Sequence, residues 1–349
     1  MSNSERVTVL QSFPVPRVTT NPYIVMLDQT LRSSAGIEVL NFSWRRALSS
    51  PYDVFHAHWP EILVRGTSPA KQLAKQFLFL LLLLRLRLRR TAVVRTMHNL
   101  KLPSDVSPIE RVLLRALDRA TTARIRLNAS TDAPADEPGA VIVHGHYREW
   151  FKPYAKYPPV PGRLAFVGLI RHYKSVDALI SAFQEVGSAD LSLHISGAPT
   201  SPELAHGLRQ QAQGDEHRIA FNFGFLSEED FVRAVTEASL VVLPYREMHN
   251  SGSVLAALSL NRPVLVPDNE VNKALSAEVG AGWVLRYEGE LRGEHILAAL
   301  NEAEGRTSDE PDLSQRDWRH TGDKHLATYH QALQTVGASP RSSGMSHRV

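Results

Sequence analysis

The sequence predicts an α/β protein of two doubly wound, Rossmann-like domains, each a parallel sheet wrapped by helices. Three observations predict it. Short apolar runs alternate with helical patterns from one end to the other, the grammar of βαβ units rather than of a sandwich or a bundle. The alternation restarts after Trp150 to Arg163, a stretch with Pro153, Pro158, Pro159, Pro161 and Gly162 that continues neither element type. And 349 residues are too many for one small core.

In the first half, strands are expected at Val7 to Gln11, Ile37 to Phe42, Val54 to His58, Val93 to His98 and Val141 to Val143, the runs richest in β-branched and apolar residues. Helices are expected at Tyr23 to Ser33, opened by Asn21-Pro22, at Pro69 to Arg89 and at Ile109 to Arg119. Thr131 to Gly139, rich in Asp, Ala and Pro, is expected to be a surface loop. The second half repeats the pattern, with strands at Arg163 to Val167, Leu191 to Ser196, Ile219 to Phe223, Leu240 to Pro244 and Pro263 to Pro267. Its helices are expected at Ser175 to Val186, Pro202 to Gln213, Glu228 to Ala238 and Val254 to Leu260. A late helix from about Ser314 to Thr335 puts Trp318, Leu326 and Tyr329 on one face. The division expected is 1–155, 156–312, a crossing helix at 313–336 that returns to the first domain, and a disordered Ser-, Gly- and Arg-rich tail at 337–349. Domains of this kind bind at the carboxyl ends of their strands, here expected to face each other across a cleft.

Composition narrows the function. Of the residues 43% are hydrophobic and 21% charged, so disorder is excluded as the main state, and the absence of cysteine excludes disulfides, thiolate nucleophiles and Cys-ligated zinc. With no apolar signal region at its start, the chain is placed in the cytoplasm. The formal charge of +3 is unevenly spread: Lys71, Lys75, Arg85, Arg87, Arg89 and Arg90 flank the run Phe77 to Leu84 with no acid among them. Eight apolar residues do not span a bilayer. As a helix, Phe77, Leu81, Leu84 and Leu88 form one stripe and Lys71, Lys75, Arg85 and Arg89 another, a pattern that suits either a membrane interface or a core helix. No aromatic residues are interleaved with the cations, which argues against nucleic acid.

The segment Phe166-Val-Gly-Leu-Ile-Arg-His-Tyr-Lys174 ends a strand at Gly168 and puts Arg171 and Lys174 just before a helix, an anion site of two cations and oriented N–H groups. A second strand, loop and helix start follows at Leu240 to Asn250 and Ser251-Gly-Ser253. Together these resemble the donor-binding half of GT-B fold glycosyltransferases, especially the family 4 group. The resemblance covers residues 5 to about 335 and is strongest from 163 to 268. It implies a nucleoside diphosphate sugar as donor, with Arg171 and Lys174 on the diphosphate and Gly168, Gly197, Phe225, Leu226, Tyr245, Glu247, Asn250, Ser251, Gly252 and Ser253 around the nucleotide sugar. The family usually carries two glutamates at places held here by Met248 and Ala256, so backbone groups of Ser251 to Ser253 are expected in their stead. The Ser-Gly variant resembles a branch associated with bacterial envelope polysaccharides, with GDP-mannose among the donors it admits.

The activity implied is hexosyl transfer to a lipid-linked or glycan acceptor, the enzyme lying on the anionic inner leaflet. His98 is expected nearest the reacting centre, with Glu61 as competing base and Asn21, His58, Trp59, Asn99 and His144 as acceptor-side residues. The pairs His56/His58 and His144/His146 lack converging carboxylates, and no Asp-x-Asp occurs, so no metal or other cofactor is expected. The alternative is a nucleotide-sugar-binding or 2-epimerase-like protein on the same fold. No Gly-x-Gly-x-x-Gly, Walker loop or Gly-x-Ser-x-Gly is present, which excludes dinucleotide, P-loop and nucleophile-elbow chemistry.

Overall fold

A computed structural model describes residues 6–17, 19–99, 106–131, 138–246, 248–304, 306 and 309–337. The chain divides into two units, one formed by residues 1–144 with 317–349 and one by 145–316.

The first unit holds strands β1 (Val7–Gln11), β2 (Ile37–Leu40), β3 (Val54–Ala57), β4 (Ala92–Met97), β5 (Ala123–Arg126) and β6 (Gly139–Val141), all parallel, in the order β2-β1-β3-β4-β5-β6. Helices α1 (Pro22–Ser33), α2 (Trp44–Ser49), α3 (Glu61–Val64), α4 (Pro69–Leu88) and α5 (Pro108–Ala120) connect them. Every residue of β3 is buried, which a parallel sheet covered on both faces requires. Ser107 caps α5 with a capping box to Glu110, and Ser68 caps α4. On α4, Phe79, Leu82 and Leu86 are buried in the core with Phe55, Val93 and the α5 residues Leu113, Leu114 and Leu117. Burial of each such side chain contributes about 1.5–3 kcal/mol.

The second unit holds α6 (Arg148–Phe151), then β7 (Arg163–Val167), α7 (Val176–Glu185), β8 (Ser192–Gly197), α8 (Pro202–Gln211), β9 (Ile219–Phe223), α9 (Glu228–Thr236), β10 (Leu240–Val242), α10 (Gly252–Ser259), β11 (Val264–Pro267), α11 (Glu270–Val279), β12 (Val284–Tyr287) and α12 (Gly293–Glu304). Its sheet is also wholly parallel, in the order β12-β11-β10-β7-β8-β9. The last helix, α13 (Thr321–Thr335), belongs to the first unit, packing on α1 and on the sheet at β4, β5 and β6.

The strands and helices expected from the sequence are present, with ends moved by a residue or two; β5, β12, α2, α3, α6, α11 and α12 were not anticipated. The late helix starts at Thr321 rather than Ser314, two short 3₁₀ turns preceding it. The passage between units falls at 144/145, ahead of the Pro-rich stretch. Residues at and before the start of that stretch are held by the second unit: Tyr147 N donates to Ser259 Oγ (2.8 Å) and Trp150 Nε1 to Glu228 (3.0 Å). Of the expected loop at Thr131 to Gly139, residues 132–137 lie outside the described residues, and Gly139 opens β6. Nearly all of the expected tail, 338–349, also lies outside them.

Strand order reverses beside β1 in the first unit and beside β7 in the second. The loops after β1 and β3, and those after β7 and β10, therefore leave toward opposite faces of their sheets and open a crevice between them.

Candidate functional site

In the second unit the crevice is built on glycine. Gly168, just after β7, has φ +127°, and Gly197, the last residue of β8, has φ +145°. A Cβ on Gly197 would stand 1.9 Å from the Gly168 carbonyl oxygen, so no side chain fits at Gly197 and the two loops touch through bare backbone. A Cβ built on Gly168 would lie 3.6 Å from Lys174 Nζ and 3.8 Å from Ser253 Oγ, which places both groups over the same glycine.

Lys174 ends a 3₁₀ turn, His172–Lys174, and is 8% exposed. Its ammonium sits 4.7 Å from the Tyr245 ring centroid, and Tyr245 OH donates to Ser253 Oγ (3.3 Å). Among the described residues neither Lys174 nor Arg171 has a carboxylate partner. Burial, and then the Arg171 guanidinium, lower the Lys174 ammonium to about 8. A buried cation with no counter-ion is costly unless an anion arrives to share its field. Arg171 is exposed beside it. Ser175, held in the left-handed region at φ +49° with its hydroxyl accepting from Arg246 Nε (3.2 Å), turns the chain into α7. Ser251 caps α10 by accepting from Val254 N, so Gly252 and Ser253 present first-turn N–H groups.

Gly168, Lys174, Gly197, Tyr245, Ser251, Gly252 and Ser253 thus come together at one crevice, with Arg171 at its rim. Phe225 follows Gly224 and is 80% exposed, with Leu226 half-buried next to it. Asn250 precedes the α10 cap; Glu247 lies outside the described residues. Met248 is buried against Asn272, whose amide donates to its sulfur (3.4 Å). A recess of about 540 Å³ elsewhere in this unit, lined by Gly162, Leu191, Ser239 and Pro263, sits at the opposite, amino-terminal edge of the sheet.

In the first unit the crevice holds histidines. His58 follows β3 and His98 follows β4, and His58 Nε2 donates to Gln11 Oε1 (3.1 Å). That bond leaves the His58 lone pair on Nδ1, which accepts from His98 Nε2 (3.1 Å). The His98 lone pair is then on Nδ1. Gln11 Nε2 donates to Tyr329 OH (3.4 Å), Tyr329 OH to His56 Nδ1 (2.9 Å), and His56 Nε2 to Thr96 Oγ1 (2.8 Å). The chain of bonds has one direction, and each ring has one tautomer. Trp59 stacks on His98 at 3.9 Å and 20°, and the Tyr23 ring meets His98 edge-on at 5.4 Å and His144 at 4.4 Å. The structure thus brings His58, Trp59, His98 and His144 together around Tyr23. Asn21 is exposed and caps α1 by accepting from Tyr23 N (3.0 Å); Asn99 is exposed next to His98.

The rings are held neutral. Burial, then the neighbouring histidines, keep His56 well below the ordinary imidazole value; burial does the same for His98, followed by His58, His144 and Arg95. Burial lowers His58 to about 3 and His325 to about 4. Glu61 opens α3, and burial raises its carboxyl above the usual range. Its carboxylate bonds none of the ring nitrogens. Among the described residues no three His, Asp or Glu side chains are arranged to hold a metal ion.

The sequence reading missed Gln11, Thr96 and Tyr329 as members of this chain. Gln11 carried a signal, a long polar residue closing a strand that is apolar but for Thr8. Tyr329 carried none, because it arrives from α13, 273 residues beyond His56.

Two parallel doubly wound units, the second with a buried ammonium and helix-start N–H groups at its switch point, define the GT-B class of glycosyltransferase. Solved structures of that class share the fold: the Anabaena HepE structure with UDP (TM-score 0.59, 12% identity, covering 95% of this chain and 97% of that one) and AviGT4, a glycosyltransferase involved in avilamycin A biosynthesis (TM-score 0.56, 13% identity, 96% and 100%). The chain belongs to the glycosyltransferase family described as "Glycosyl transferases group 1", whose model matches residues 161–291. It is 44% identical over 334 residues, 95% of its length and 94% of the relative's, to the GDP-mannose:glycolipid 4-beta-D-mannosyltransferase of Xanthomonas campestris pv. campestris.

Proposed function

We propose that this enzyme transfers mannose from GDP-mannose to a glycolipid acceptor, without a metal, while docked on the anionic inner face of the plasma membrane. The observation that carries the reading is Lys174, a buried ammonium that has no carboxylate partner among the described residues, at the switch point of the second sheet. The likeness of the whole chain to a GDP-mannose:glycolipid mannosyltransferase supports donor and acceptor class.

The chemistry divides between the units. Lys174, Arg171 and the α10 N–H groups bind the diphosphate and stabilise the charge it gains as it leaves. A β-linked product from an α-configured donor requires one inversion at the anomeric carbon, and so a base for the acceptor hydroxyl. As the hydroxyl oxygen bonds to that carbon and the bond to the diphosphate breaks, the hydroxyl proton goes to His98 Nδ1. His98 can then pass its Nε2 proton toward His58 Nδ1, so two imidazoles share the charge. Trp59 and Tyr23 fix the ring plane, which limits the entropy lost on reaction.

Purified protein given GDP-[³H]mannose should move label into chloroform-extractable lipid only when glycolipid is added. Release of free sugar or its epimer without glycolipid would favour the epimerase-like alternative and contradict transfer.

The membrane part of the reading rests on α4. Its outward side carries Leu73, Phe77, Leu80, Leu84 and Leu88, each more than half exposed, and α5 adds Ile109 and Val112. No helix among the described residues is long and apolar enough to cross a membrane. Contiguous apolar surface of this kind marks an interaction face, and Arg87, Arg89 and Arg90 border it. Arg85, expected with them, serves the fold instead: it donates to the Ser50 carbonyl and lies 4.2 Å over the Tyr52 ring. Each cation near an anionic leaflet contributes about 1 kcal/mol, so replacing Arg87, Arg89 and Arg90 with Gln should weaken binding to phosphatidylglycerol vesicles at low salt by about tenfold or more. Wild-type protein that ignores such vesicles would remove the membrane from the account.

A further inference from the structure

Among the described residues other than glycine, three hold φ in the left-handed range: Arg90, Ser175 and Asn261. Helix ends explain two of them. Arg90 and Asn261 each stand two residues past a helix, α4 and α10, where the bonds from Thr91 N to the Leu86 carbonyl and from Arg262 N to the Ala257 carbonyl (both 3.0 Å) close the turn that places such a residue. Ser175 has no such reason. It stands between the 3₁₀ turn His172–Lys174 and α7, as the N-cap of α7.

Ser175 also forgoes the bond that a serine in its place makes. Ser43, Ser68, Ser107, Ser201, Ser227 and Ser251 cap their helices from extended backbone, each hydroxyl accepting from the N–H three residues on. At φ +49° and ψ +45° the Ser175 hydroxyl makes no capping bond. A left-handed residue with a β-carbon and an unused cap are both unfavourable, and such a conformation persists only where its surroundings impose it.

Tyr245 and Arg246, just past β10, impose it. Arg246 N donates to the Tyr173 carbonyl (3.0 Å), the Lys174 ammonium lies 4.7 Å from the Tyr245 ring centroid, and Arg246 Nε donates to Ser175 Oγ (3.2 Å). Two residues thus grip three successive residues of the turn. Of these contacts only the guanidinium bond reaches the left-handed residue, and it occupies the hydroxyl that would otherwise cap α7. Freed from Arg246, Ser175 can relax to the extended form of the other serine caps, which turns its chain neighbour Lys174 away from the crevice.

We infer that Arg246 is a positioning residue for the donor: by holding the Ser175 hydroxyl it keeps Ser175 left-handed, and so keeps Lys174 over Gly168 where the diphosphate binds. The inference rests on the donor side of the reading above. It adds a residue that acts on the ligand through the backbone of the turn and not by contact.

Calorimetric titration of GDP into the full chain tests it, with S175A, S175G, R246M and S175G/R246M beside wild type. Alanine keeps the β-carbon and loses the hydroxyl, whereas glycine adopts positive φ freely and needs nothing to hold it there. S175A and R246M should each bind GDP about tenfold more weakly, while S175G and S175G/R246M should stay within about threefold of wild type. Because Arg246 acts through Lys174, the decline in affinity as pH rises through about 8 should flatten in R246M and return in S175G/R246M. An R246M loss that persists undiminished in the S175G background marks direct contact with the ligand and overturns the inference. So does wild-type affinity in R246M, or an S175G loss as large as that of S175A. Wild-type protein that does not bind GDP removes the donor reading itself, whereas binding by wild type that no variant alters removes the positioning role alone.

Discussion

Replacing His98 with Ala should lower turnover about a hundredfold or more, the usual scale for losing a general base, while affinity for GDP stays unchanged. The geometry behind this is specific. Gln11 fixes the tautomer of His58, His58 fixes that of His98, and Trp59 clamps the ring, so the basic nitrogen is defined by bonds that reach back into the sheet. Because the ring is held well below its ordinary titration range, it stays neutral through pH 6. The pH dependence has a definite sign: a free imidazole would lose half its activity near 6.5 as acid protonates it, whereas kcat/KM here should not fall between pH 7 and 6. The check is steady-state kinetics across that range with wild type and His98→Ala. Normal turnover in the variant makes His98 structural and leaves Glu61→Gln as the next substitution to measure.

The crevice of the second unit, the proposed donor site, was legible in the sequence because each of its residues carries a meaning that survives without neighbours. Gly168 marks a backbone conformation that side chains avoid, and Arg171 and Lys174 before a helix mark an anion. The histidine relay was only half legible. His56 in β3 and His58 just past its end share a face by simple alternation, and their rings lie 4.3 Å apart, but their partners Gln11, Thr96 and Tyr329 are brought in by sheet order and by α13. Periodicity within a segment does not contain that information. The same limit explains β5, Ala-Arg-Ile-Arg, whose first arginine hides a strand by pairing with Asp118 beside the sheet. On α4 the sequence left a core helix and a surface helix as equals, and the helix is both: Phe79, Leu82 and Leu86 are buried, and Leu73, Phe77, Leu80, Leu84 and Leu88 lie outside. Arg85 was misplaced because its partners, Ser50 and Tyr52, come from the loop before β3.

The central claim, that a diphosphate is held by Lys174 and Arg171, meets its most direct test in calorimetric titration of GDP into wild type, Arg171→Ala and Arg171→Ala/Lys174→Met. Each charge-assisted contact is worth roughly 1.5–3 kcal/mol, so the single variant should bind about tenfold more weakly and the double variant about a hundredfold or more. Wild-type affinity should also decline as pH rises through about 8, where the buried Lys174 ammonium is half deprotonated. Loss of folding cannot mimic the result, because burial already disfavours that ammonium and its replacement by Met should keep or raise the melting temperature of the nucleotide-free protein. A double variant that folds and binds GDP as tightly as wild type would contradict the claim.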